Sequence, residues 1–249
     1  ESGDPVVSQN WIPAFAGMNG VRGGASLIVM PGLVPGINVF RVLPQFPIAG
    51  RRRESFMASP KILVLPGSVR SGSHNVRLAA LATKELTLLD ADVTRISLAD
   101  YPLPLYDADL DARAGQPENA VKLKHMIASH HGIFIASPEY SASVTPLLKN
   151  AIDWVSRVRE RGDPTYAAFK NRVFAIASAS PGRTGGLRSL MALRQILELG
   201  CGALVVPEQV AIPDAERAFD DMDNLLETGL ANLLRAELAR LIEMARLMM

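Results

Sequence analysis

K-I-L-V-L-P-G-S-V-R-S-G-S-H-N, residues Lys61 to Asn75, is the stretch on which the reading of this chain turns. Ile62 to Leu65 is a short apolar run rich in branched side chains, the pattern of a strand buried on both faces. It stops at Pro66-Gly67, and hydroxyls, an arginine and small residues follow. Ser73 stands where a helix N-cap is expected, because Val76, Ala79, Ala80 and Thr83 recur behind it at helical spacing. A strand, a loop of small residues and a helix start, in that order, make an anion cradle. The amides of the loop and first turn lack partners, and the helix dipole places partial positive charge at the same point. Arg70 adds a planar guanidinium that grips phosphate oxygens in pairs.

What the loop lacks narrows the ligand. A Walker A loop needs Gly-Lys-Ser/Thr, and no lysine follows Gly72. The dinucleotide fingerprint fails at its second glycine, in Gly67-Ser68-Val69. A cysteine phosphatase needs a thiolate in this loop, and the only cysteine is Cys201. A loop of hydroxyls plus arginine suits a phosphate monoester such as the tail of FMN. The plain alternative is a serine-rich strand-to-helix turn with no ligand.

Bulk properties exclude several classes. The chain has 249 residues with 26 basic and 25 acidic side chains, a net charge of +1. A nucleic-acid binder carries a basic excess, and the run Arg51-Arg52-Arg53 is too short to supply one. With one cysteine there is no intramolecular disulfide, so a soluble cytoplasmic protein is expected. His74, His125, His130 and His131 show no metal-ligand spacing, and no metal is expected.

Residues 1–56 differ in kind. They hold 14 of the 36 Gly and Pro residues and no lysine. The apolar run 26–40 is broken by Pro31-Gly32 and Pro35-Gly36, which a membrane helix would not tolerate. No basic start or cleavage site marks it as a secretory signal. Residues 1–56 are therefore expected to be a poorly ordered, non-core extension, such as a misassigned start would leave, with a tail that docks on a partner as the rival view. Met57 is a sensible start for the working domain, residues 57–249.

From there strand-like and helix-like segments alternate. A helix is expected over 73–88 and a second, edge-type strand over 92–98. Tyr101 to Leu105 runs extended into Asp107, Asp109 and Asp111. A helix from Pro117 to about His130 leads to a buried strand, Gly132 to Ala136. Thr145-Pro146 opens the next helix, and Arg172 to Ala177 is a fourth strand. Gly185-Gly186 precedes a helix through Leu190, Leu193 and Leu197. A fifth strand begins at Ala203, and a closing helix covers 225–247. Parallel neighbours need crossovers, so this order means an α/β fold: a five-stranded parallel sheet with helices on both faces, of flavodoxin-like type. Its ligand edge lies at the carboxyl ends of the strands, where the loops after strands one, three and four should meet.

Those three loops carry a resemblance. They read Gly67-Ser68-x-Arg70-x-x-Ser73-x-Asn75, then Ser137-Pro138-Glu139-Tyr140 continuing to Leu148-Lys149-Asn150-Ala151-Ile152-Asp153-Trp154, then Ser178-x-Ser180-Pro181-Gly182-x-x-Gly185-Gly186. Together, over about 61–213, they resemble the NADPH-dependent FMN reductase family, which includes quinone, chromate and azo-dye reductases. The family usually has Asn where this chain has Ser141, which would alter contacts to the flavin ring or substrate.

The resemblance implies bound FMN and NADPH or NADH as reductant. Hydride passes through the flavin to quinones, free flavin or similar small acceptors in ping-pong turnover. It implies that Ser68, Arg70, Ser73 and Asn75 hold the FMN phosphate, with His74 adding a backbone N–H. Pro138, Glu139, Tyr140 and Ser141 would line the ribityl chain and ring edge. Ser180, Gly182 and Gly185 would form the opposite wall, where absent side chains let backbone approach the ring. FMN carries the chemistry, and no catalytic acid or base is implied.

Bland competitors stand beside these roles. Arg70 could be a solvated charge, Tyr140 a packing residue, Glu139 a cap, and Gly185-Gly186 a helix start. Trp154 is read as core or subunit contact, and Cys201 as a buried small hydrophobe. Arg157, Arg159, Arg161 and Arg183 are candidates for the NADPH 2′-phosphate. Family members commonly form homodimers or homotetramers, and the 148–158 helix has apolar residues to spare. A flavodoxin-type electron carrier is the alternative function, but such carriers are strongly acidic and residues 57–249 have a net charge of −1. A phosphate-binding protein without redox chemistry is a third reading.

Overall fold

Burial on both faces turns the apolar runs into central strands of one parallel sheet. The computed structural model describes residues 58–249, and the expected extension, residues 1–56, lies outside the described residues. The strands are β1 (Lys61–Pro66), β2 (Asp92–Arg95), β3 (Gly132–Ala136), β4 (Val173–Ala179), β5 (Leu204–Val205) and β6 (Val210–Ile212). Their order is β2-β1-β3-β4-β5, with β6 also beside β4, and every pair is parallel. The helices are α1 (His74–Leu88), α2 (Ala108–Ala114), α3 (Glu118–Ala128), α4 (Pro146–Arg157), α5 (Leu187–Gln195) and α6 (Thr228–Arg246). This is the flavodoxin-like order, and strand order reverses between β1 and β3, which opens a crevice above their carboxyl ends.

The two-residue period of the strands divides the core in two. Ile62, Val64, Phe134, Ala175 and Ala177 face α1 and α6, meeting Leu78, Leu238 and Leu241. Leu63, Leu65, Ile133, Ile135, Phe174 and Ile176 face the other way, onto Leu123, Leu148, Ile152 and Leu193. At 1.5–3 kcal/mol or so per large side chain buried, these two layers are the main stabilising term.

Four expectations are corrected. β2 ends at Arg95 and does not run to Leu98, because the Ser97 hydroxyl accepts the Ala99 N–H at 3.2 Å and turns the chain into a 3₁₀ segment. The acidic run opens a helix that was not anticipated: an Asp107 oxygen accepts the Asp109 and Leu110 amides at 2.7 and 3.2 Å, capping α2. The fifth strand comes as two pieces, β5 and β6. Pro207 between them has no N–H, and the Val206 carbonyl accepts from the Arg194 guanidinium at 2.9 Å. Finally, the stretch 148–158 has no apolar residues to spare. Leu148, Ala151, Ile152, Trp154 and Val155 are all buried within the subunit.

Two buried ionisable groups are treated differently by the fold. Lys124, nearly fully buried, is paired with Asp163 at 2.7 Å and with Glu160. Glu237 on α6 is fully buried, and neither of its carboxyl oxygens has a hydrogen-bond partner among the described residues. Burial pushes its pKa well up, outweighing the nearby Ile176 amide and the Arg194 charge, while Glu208 adds to the rise. The folded state therefore holds a proton that the unfolded chain releases. Stability should fall as pH rises from the ordinary Glu range toward this raised value. Glu237→Gln removes that contribution, so the urea midpoint of the variant should gain on that of the parent between pH 5 and pH 8. The same pH dependence in both proteins would contradict this.

Candidate functional site

Loops 67–73, 137–145 and 180–186 leave the carboxyl ends of β1, β3 and β4, where Pro66, Ala136 and Ala177 sit level in the sheet. Each pair of loops is tied together. Asn75 Nδ2 donates to the Ala179 carbonyl at 2.8 Å, and the Ala179 N–H donates back to Asn75 Oδ1 at 3.0 Å. Thr145, the N-cap of α4, donates its hydroxyl to the Gly67 carbonyl at 2.8 Å. Glu139 accepts the Arg188 and Ser189 amides at 3.0 and 3.3 Å and the Arg188 Nε at 2.7 Å. Glu139 thus caps α5 from across the crevice, and its charge is complemented by the helix N-terminus and a guanidinium.

Ser68, Arg70, Ser73, His74, Asn75, Pro138, Glu139 and Tyr140 come together around one pocket of about 90 Å³, joined by Ala179, Ser180 and Pro181. That is room for roughly three waters, the scale of a phosphate group and not of a whole flavin. Its donors are uncommitted. Ser73 occupies the N-cap position of α1, but its hydroxyl makes no capping bond. The His74 and Asn75 amides have no acceptor among the described residues. Ser68 Oγ accepts from the Arg70 N–H at 3.2 Å, which leaves its own hydrogen free. The Arg70 guanidinium lies on the exposed Ser71 and Gly72 carbonyls at 3.1 and 3.3 Å, groups that water satisfies equally well. Burial first, then the Arg70 and Arg77 charges, lower the His74 imidazole from its ordinary histidine value, which favours the neutral form. The Asn75 amide serves Ala179 and positions the loops. These unpaired donors at a helix start fit a phosphate monoester.

Ser141, Gly182 and Gly185 stand outside the pocket lining. Tyr140 and Ser143 exchange N–H to carbonyl bonds at 3.0 Å each, and Ser141 and Ala142 between them have φ of 49° and 60°. Two left-handed residues closing a hairpin form a type I′ turn, for which Asn-Gly is the favoured pair. An Asn at position 141, the family's usual residue, would suit this left-handed backbone. Gly185 (φ 63°) has a similar explanation: a Cβ there would lie 2.6 Å from the Ala211 carbonyl carbon, and one on Gly186 (φ 88°) would overlap the Ser178 side chain. Their small size admits strand β6 and Ser178. Ser180 donates its N–H to Ile212 at 3.0 Å, and its hydroxyl accepts from Gly182 at 3.3 Å.

Arg188 was not singled out from sequence. A basic residue in the first turn of a helix opposes the dipole and calls for a carboxylate, and that was the available signal. Within the Leu148–Trp154 motif, Leu148 is core, and Asn150 and Trp154 hold a neighbouring segment. Asn150 accepts the Tyr106 N–H at 2.8 Å, and Asn150 and Trp154 both donate to the Pro104 carbonyl, strapping 104–106 onto α4. The segment just before this strap, Tyr101 to Leu103, borders an apolar hollow of about 280 Å³ together with Val69, Leu147 and Ala151. Cys201 is buried, which pushes its thiol up to about 11, so it is no nucleophile at neutral pH.

The turn yields a test. Each non-glycine residue held left-handed costs about 1–2 kcal/mol. The double substitution Ser141→Asn, Ala142→Gly should stabilise the protein by about 1 kcal/mol, read as a higher urea midpoint at unchanged slope. An unchanged or lower midpoint would show that the turn is not of this class.

Comparison with known proteins agrees with this geometry. Residues 60–217 match the family described as NADPH-dependent FMN reductase. An NAD(P)H-dependent FMN reductase of Pseudomonas aeruginosa is 37% identical over 183 residues, 73% of this chain and 92% of that protein. A quinone reductase of Escherichia coli K12 is 36% identical over 138 residues, 55% of this chain and 69% of that protein. Among solved structures, FerB, a flavoenzyme NAD(P)H:(acceptor) oxidoreductase from Paracoccus denitrificans, superposes with a TM-score of 0.61 at 26% identity, covering 75% of this chain and 97% of that one. The chain belongs to the NADPH-dependent FMN reductase family.

Proposed function

We propose that this edge of the sheet binds FMN and that the protein is an NAD(P)H oxidoreductase that passes reducing equivalents to quinones, free flavin or similar small acceptors. One observation carries the reading: a phosphate-sized pocket whose walls supply unpaired amides and hydroxyls, set where three tied loops converge. Bound FMN supplies hydride acceptance and donation. The chain's own residues bind and orient it. Ser68, Ser73, Arg70 and the His74 and Asn75 amides hold the phosphate, and Pro138, Glu139 and Tyr140 flank the group beyond it. Tyr140 is half exposed on its hairpin, a flat apolar surface beside the pocket mouth. Ser180, Gly182 and the turn after them bound the other side.

The same reading places residues 57–249 as the working unit, which the family match over 60–217 supports. It includes a homodimer or homotetramer, supported by Leu187 and Met191, exposed one turn apart on α5. Among the described residues, no helix is long and apolar enough to cross a membrane. Cytoplasmic residence belongs to the proposal, supported by reliance on NAD(P)H and by a single, buried cysteine.

Anaerobic addition of NADPH or NADH to the yellow holoprotein should bleach the visible flavin band, and a quinone should restore it. A yellow protein that neither nucleotide bleaches would favour the carrier function, and a colourless one that cannot be reconstituted would remove the flavin. A chain started at Met57 should bind FMN as tightly as the full chain. Loss of binding on truncation would give residues 1–56 a role.

A further inference from the structure

We propose that Arg183 selects NADPH over NADH by binding the 2′-phosphate on the adenosine half of the dinucleotide; this rests on the flavin-reductase reading above. Arg183 and Thr184 are the two central residues of a turn closed by the Gly185 N–H on the Gly182 carbonyl at 3.0 Å, and both are exposed. A second bond, from the Leu187 N–H to the Thr184 carbonyl at 3.1 Å, continues the chain into α5. Gly185 is wedged against the Ala211 and Ile212 backbone, so the base of the turn is fixed. The guanidinium and a hydroxyl therefore stand side by side at the tip of a rigid turn, two residues beyond Pro181 in the pocket wall.

The other candidate arginines from the sequence, and the two nearest the pocket, are committed or misplaced. Arg157 stacks on the Tyr106 ring, 4.0 Å from its centroid, and donates to the Asp153 carbonyl at 2.8 Å. It ends the 12-residue helix α4, so Arg157, Arg159 and Arg161 follow a run of roughly 18 Å that leads from the loops toward the opposite edge of the sheet. Arg188 is held by Glu139, and Arg70 faces the flavin phosphate pocket. Arg183 enters no hydrogen bond or ion pair among the described residues, and Glu139, the carboxylate on the facing loop, is already engaged by Arg188. An unpaired guanidinium beside a hydroxyl is a partner for a phosphate monoester dianion, through paired charge-assisted hydrogen bonds. The 2′-hydroxyl of NADH carries no charge for it to engage.

The test titrates the FMN-loaded full-length protein with 2′,5′-ADP and with 5′-AMP, for the parent, Arg183→Gln and Arg183→Lys. The glutamine variant should weaken 2′,5′-ADP on the order of 10-fold or more relative to 5′-AMP, with lysine intermediate. The ratio of the KM values for NADPH and NADH should shift by a similar factor, while the visible flavin spectrum shows each variant folded and loaded. Equal affinities of parent and glutamine variant for 2′,5′-ADP, or an equal loss for both nucleotides, would overturn the assignment. A protein that is yellow and bleached by both nucleotides, yet indifferent to residue 183, sinks this inference alone. One that never takes up flavin sinks the reductase reading and this inference with it.

Discussion

The two-way bond between the Asn75 side-chain amide and the Ala179 backbone fixes the start of α1 to the end of β4 across 104 positions of sequence. It does for two loops what a ladder does for two strands, using one side chain as a length of backbone. A single hydrogen bond contributes about 1 kcal/mol net, but an orphaned buried amide or carbonyl costs about 1–3 kcal/mol. The bond is therefore more expensive to break than it was stabilising to make. The Thr145–Gly67 and Glu139–α5 contacts close the other two sides of the triangle. The pocket has its size because these three distances are set.

Charge follows the same frame. The α5 N-terminus is neutralised by Glu139, whereas the first turn of α1 keeps its amides and its Ser73 hydroxyl free. Two helix starts at one edge would otherwise compete for an anion. Here one is closed by a carboxylate and the other is left open, which directs a phosphate to the β1 loop. On the proposed reading the pocket takes only that end of a flavin, and the rest lies over the exposed Tyr140 hairpin and the third loop.

The sequence made the sheet legible where burial on both faces leaves an unbroken apolar run, as in Ile62–Leu65 and Ile133–Ala136. The loops were legible because strand ends in a parallel sheet share one edge. What stayed hidden was long-range. Nothing near Asn75 names Ala179, and nothing near Glu139 names Arg188, since such pairs exist only after the crossovers are made. Ser141-Ala142 concealed its turn because neither residue is the Asn or Gly that a type I′ turn favours. Pro207 was a local signal for the break in the fifth strand that the sequence reading passed over. Glu237 was also in view, an acid three residues after Leu234 on the buried stripe of the closing helix.

On the proposed reading this edge of the sheet recognises a phosphate before anything else. The direct measurement compares the affinity of the flavin-free protein for FMN and for riboflavin, which differ only in that group. Several charge-assisted bonds to one phosphate predict FMN binding tighter by on the order of 100-fold, with the gap narrowing at high salt. Equal affinity for the two would mean that the β1 loop and the α1 start do not hold a phosphate, and the account of the site would be wrong.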